Sequence, residues 1–66
     1  MEDYQERVLV EQKELSDKIV KLVTFLTDFE KVMLLDEKDL HHLNCQLETM
    51  LEYNSILIVR IRSFKE

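Results

Sequence analysis

His41, His42 and Cys45 are the residues of this chain whose types could hold a metal or attack a substrate. His41 and Cys45 stand four apart, so on a helix they share a face, with Glu48 in the next turn. A zinc centre needs three or four convergent ligands. The chain has one Cys, and adjacent His residues on a helix point about 100° apart, so no such set forms. As a nucleophile, Cys45 has beside it nothing that would hold a thiolate and no donors for an oxyanion. The carboxylates read as a solvated face, and no loop-built cleft excludes water. Neither an enzyme nor a metal or other cofactor is expected.

Tyr4 and Arg7 offer a different chemistry. They are three apart at the start of the chain, so they share a helical face, and an aromatic ring beside a guanidinium suits a purine base next to a phosphate. Lys18 lies fourteen residues further on, which returns it to nearly the same face about 21 Å along the axis. Taken alone, the three read as a capping aromatic and two solvated cations.

The elements that must carry these residues are helical. The 66 residues include no Gly and no Pro. Strand-rich folds need turns built on those residues, and glycine loops for phosphate are excluded with them. One small domain spanning residues 1–66 is the upper limit. The net charge of −5 disfavours duplex nucleic acid as a partner. The charge is uneven. Asp28, Glu30, Asp36, Glu37, Asp39, Glu48 and Glu52 outweigh Lys31 and Lys38 in the middle, while Arg60, Arg62 and Lys65 outweigh Glu66 at the end, where an anion could sit. No run approaches the roughly 18–20 apolar residues that span a membrane. The acidic Met1-Glu2-Asp3 start is unlike a secretory signal, and a free Cys fits a reducing cytosol.

Val8, Leu15, Ile19, Leu22 and Leu26 recur at helical spacing and predict a first helix from about Asp3 to about Leu26, capped by Glu2 or Asp3. Glu14–Lys18 and Asp17–Lys21 are acid-before-base pairs for its exposed face. Thr27-Asp28-Phe29-Glu30 has the spacing of a capping box for a short helical turn, and Asp36 is the cap of the next helix. From about Glu37 to about Phe64, the residues Leu40, Leu43, Leu47, Met50, Asn54, Leu57, Ile61 and Phe64 form an unbroken heptad seam about 40 Å long. The expected fold is all-α: a helical hairpin of two long helices with a short helix at the bend. The apolar run Ser55-Ile56-Leu57-Ile58-Val59 and the off-stripe Val10, Val23 and Phe25 exceed what a hairpin needs. A core this small stabilises weakly, so the surplus predicts assembly as a homo-oligomer. The polar seam residues Gln12 and Asn54 either fix register and oligomeric state or mark a partly exposed edge.

The pattern Tyr4-Gln5-x-Arg7-Val8, Glu11, Glu14-Leu15, Lys18, Lys21-Leu22 and Phe25 resembles the N-terminal half of a family of small phage proteins. Gln46-Leu47, Met50, Tyr53, Leu57, Arg60-Ile61 and Phe64 resemble its C-terminal half. The family is the anti-CBASS cyclic-nucleotide sponges, which capture the second messengers of a bacterial antiviral defence without cleaving them. The resemblance implies a hexamer in the host bacterial cytoplasm, with cyclic dinucleotides such as cyclic GMP-AMP in pockets between protomers. It implies that Tyr4 stacks on a base and that Lys18, or Lys21 in its place, contacts phosphate; Arg7 joins them as a ligand-binding candidate. It also implies a second site for cyclic trinucleotides, in which Arg60 matches the family's Arg. The hydroxyl partner there falls at Val20 or Thr24, of which Thr24 alone carries a hydroxyl. Because Tyr4 and Lys18 lie too far apart along one helix to hold one ligand, two copies packed antiparallel are required, giving paired sites. The competing expectation is a coiled-coil oligomerisation module that docks another protein.

Overall fold

Helix α1 (Asp3–Leu26) begins where the chain can satisfy its free N–H groups. Glu2 is extended at the N-cap position, and its backbone N–H donates to Gln5 Oε1 at 3.1 Å. Asp3 and Glu6 in the first turn complement the positive end of the helix dipole. The computed structural model describes residues 2–64; Lys65 and Glu66, the last charges of the basic stretch, and Met1 lie outside the described residues.

At the bend the structure departs from the expected capping box. Thr27 is helical in backbone and closes α1: its N–H donates to Val23 O, and its hydroxyl donates to Thr24 O at 3.0 Å. An N-cap must leave the helical region, and Asp28 does so. Asp28 therefore caps the single-turn helix α2 (Phe29–Val32), its carboxylate accepting from the Lys31 N–H at 3.4 Å. Asp36 then caps helix α3 (Glu37–Ser63) as expected, accepting from the Asp39 N–H at 2.7 Å. No described residue has a positive φ. The caps at Thr27, Asp28, Met33 and Asp36 thus turn the chain without the left-handed step that glycine serves, which is how a Gly-free sequence reverses direction. Arg60 and Arg62 in the last turn of α3 complement the negative end of its dipole.

The two long helices lie antiparallel and make a rod of 46 × 15 × 14 Å, one helix pair wide. The seam follows the predicted periodicity. Val8, Leu15, Ile19 and Leu57 are buried, with Leu57 the one fully enclosed side chain among the described residues. Leu47, Met50, Ile61 and Phe64 pack around them. Halfway along, Gln12 Nε2 donates to Asn54 Oδ1 at 3.1 Å across the two helices. The polar seam pair thus pins the register within one chain, where it is half-buried.

The surplus apolar side chains are where the sequence placed them, on the outside. Val10, Val20, Ile56 and Val59 are all more than half exposed, while Phe25 and Ile58 are half-buried. The largest exposures are at the bend, on Leu34, Phe29 and Met33. No described helix is long and apolar enough to cross a membrane.

Two stability outcomes follow. Leu57→Ala removes the best-enclosed side chain and is expected to cost roughly 2–5 kcal/mol in denaturant unfolding. Asn54→Leu leaves the Gln12 amide facing an apolar neighbour and should cost about 1 kcal/mol, whereas the double change Gln12→Leu with Asn54→Leu should recover most of that loss.

Candidate functional site

With the register set, the face of α1 nearest the bend meets the first half of α3 across an open groove of about 660 Å³. Small-molecule sites typically enclose roughly 300–1,000 Å³, so the groove is of ligand size. Leu15 and Leu22 from α1 and Leu43 and Met50 from α3 give it apolar walls. Phe25 supplies an aromatic ring, Gln46 an amide, and Lys18 and Lys21 two cations. Lys18 and Lys21 are one helical turn apart on an exposed stretch of α1, so their stems can cover the groove wall while the ammonium groups reach outward.

Those cations are not engaged as the sequence predicted. Glu14 and Asp17 stand one turn before them, yet the single ion pair among the described residues is Lys31–Asp28, at 3.8 Å. All of these side chains are solvated, and exposed pairs gain too little to hold two long side chains in one geometry. Lys18 and Lys21 therefore face the groove without an internal counter-ion.

Tyr4 and Arg7 lie at the other end of the hairpin. The Tyr4 ring is half exposed and packs against Phe64 at 90° with ring centroids 6.0 Å apart, so a residue of α3's C-terminus orients it. Arg7 borders a shallow concavity of about 540 Å³ formed with Asp3, Glu6 and Val10, all on α1. Two carboxylates beside the guanidinium weaken its attraction for an external anion. Fourteen residues separate Tyr4 from Lys18, or about 21 Å of helix, so one chain does not bring them together. Arg60 and Thr24 are likewise divided. Arg60 sits near the open end and Thr24 near the bend, about 25 Å apart along the axis given the Gln12–Asn54 register.

The Cys45 Sγ lies 3.6 Å from His41 Nε2, both exposed on α3. His41 and His42 are tilted by 49° with centroids 6.0 Å apart. No group of three or more His, Cys, Asp or Glu converges among the described residues.

Phe25 and Gln46 are the groove residues that a reading of candidate ligands overlooked. Phe25 had a local signal, since it stands four residues after Lys21 and so shares its face. Gln46 stood in the sequence only as a match to the family pattern, and the fold brings it into one groove lining with Lys21.

Fold and groove together define an all-helical hairpin protein with a cationic, apolar-walled surface site. The chain belongs to the Sequestin family, a family of sequestering proteins, whose model matches residues 2–63. The match bears out the resemblance drawn from the two halves of the sequence. No curated protein and no solved structure gives a significant match.

The ring contact yields a measurable coupling. A double-mutant cycle on Tyr4→Ala and Phe64→Ala, read by thermal unfolding, should give about 0.5 kcal/mol, the low end for aromatic pairs because Tyr4 is half solvated.

Proposed function

We propose that this protein binds cyclic dinucleotides of the cyclic GMP-AMP type and withholds them, uncleaved, from the effectors of a bacterial CBASS defence. The observation that carries the reading is the Lys18–Lys21 pair, unpaired by acids, over a groove floored by Leu and Met and flanked by Phe25. In a chain of net charge −5, two cations outside any ion pair on one groove are a local attraction for an anion. A cyclic dinucleotide presents two phosphates and two flat bases, which is the chemistry this lining meets. The membership in a sequestering family supports retention rather than turnover.

Magnitudes argue for more than one copy per site. Stacking on Phe25 contributes about 1–3 kcal/mol and each lysine contact with phosphate about 1.5–3 kcal/mol. One groove therefore offers roughly 4–9 kcal/mol before ordering costs, short of the ~12 kcal/mol that nanomolar capture requires. A second copy closing the open side, bringing its own Tyr4 and Arg7, would supply the missing stacking and charge. The exposed Val10, Val20, Ile56 and Val59 offer the apolar surface for such an assembly, a hexamer in the family reading. The same logic applies to the cyclic trinucleotide site, where Arg60 and Thr24 meet only if contributed by different copies. On this reading the protein acts in the cytoplasm of the infected host and uses no cofactor.

Those exposed side chains also favour a second reading, a helical oligomerisation module that docks another protein. Thermal melts with cyclic GMP-AMP separate the two. A sponge gains several degrees at saturating ligand. Lys18→Ala and Lys21→Ala should each weaken binding by about tenfold in calorimetry, and Tyr4→Ala should reduce the gain as well. Ligand recovered intact after denaturing the complex is the expected chromatographic result. No shift with ligand well above micromolar would leave the oligomerisation module standing.

A further inference from the structure

Gln46 is the one neutral hydrogen-bonding side chain in the groove lining. The lysines attract phosphate, and phosphate contacts carry no base information. Stacking on Phe25 is tolerant of base identity, because every base has a π-face. The Leu and Met walls have no donors or acceptors of useful strength. Within the lining that one chain supplies, selection among bases therefore falls to one amide.

The state of that amide is informative. Its Nε2 is turned onto Met50 Sδ at 3.9 Å, a weak contact one helical turn away that aims the group and takes up one N–H. No hydrogen bond among the described residues engages its oxygen or its second N–H, and the residue is exposed. What remains is the carbonyl oxygen as acceptor and one N–H as donor.

We propose that Gln46 is the specificity-determining residue of the groove and that it selects adenine, accepting from the N6 amino group and donating to N7. Gln pairs with adenine in this bidentate way, whereas the matching edge of guanine presents two acceptors, N7 and O6, against which the amide oxygen is repelled. The inference rests on the sequestration reading and adds the base preference to it. Adenine-containing cyclic dinucleotides are then the preferred cargo over all-guanine ones.

The test is calorimetric titration of cyclic di-AMP and cyclic di-GMP against the unmodified protein, Gln46→Met and Gln46→Arg. Far-UV circular dichroism checks that each variant keeps its helices. The unmodified protein should bind cyclic di-AMP at least about tenfold more tightly than cyclic di-GMP. Gln46→Met should bring the ratio towards one, and Gln46→Arg, whose fork matches guanine O6 and N7, should invert it. Equal affinities in the unmodified protein, a ratio unchanged in Gln46→Met, or a guanine preference would each overturn the assignment while leaving sequestration in place. Failure to bind either ligand would overturn the sequestration reading and this inference with it.

Discussion

Gln12 and Asn54 meet across the seam of the hairpin, and the placement of every other residue along the two long helices depends on that register. Apolar side chains alone hold helices together with little preference for one axial alignment, since a slide by one heptad presents another set of Leu, Ile and Val. A half-buried amide pair is different. Sliding it apart would leave two amides against apolar neighbours, at a cost of about 1–3 kcal/mol for each unsatisfied group. The same alignment sets Tyr4 against Phe64 at the open end and brings Lys18, Lys21 and Phe25 to Gln46 and Met50 nearer the bend.

A helix pair has only one seam, and that limits what a single chain can enclose. Four apolar side chains are buried among the described residues, while others of similar size remain on the outer faces of both helices. The groove shares this geometry: two helices can form its walls but cannot roof it. The shortage of core and the openness of the site are thus one property of a two-helix rod. It explains why binding energy and stability both point to further copies of the chain in the proposed function.

Charge placement works against the average of the chain. Most of the acids in the middle of the sequence lie on the bend and along α3, and two of them, Asp28 and Asp36, serve as helix caps. Lys18 and Lys21 stand apart from them on α1, beside a groove whose lining holds no carboxylate. At separations beyond about 10 Å salt screens the acids of the bend and of distant α3, which leaves Glu14 and Asp17, one turn before the two lysines, as the nearest acids on α1.

Amino-acid order by itself determined the helices, the ends of the two long ones to within a residue, and the seam. Periodicity, caps and the absence of Gly and Pro are local properties, and each element satisfies its own backbone. At the cap of α2, Asp28 stands where the Thr27 spacing pointed to a capping box, because both residues can cap and only the backbone conformation at the end of α1 decides between them. Lys18 was legible as a candidate cation because it returns to the face of Tyr4 and Arg7, and Lys21 as its alternative through the family resemblance. Their meetings with Leu43, Gln46 and Met50 of α3 were settled only by the fold. Those facts depend on how two distant segments align, and helical periodicity repeats identically at every register, so it carries no information about which turn of one helix faces which turn of the other.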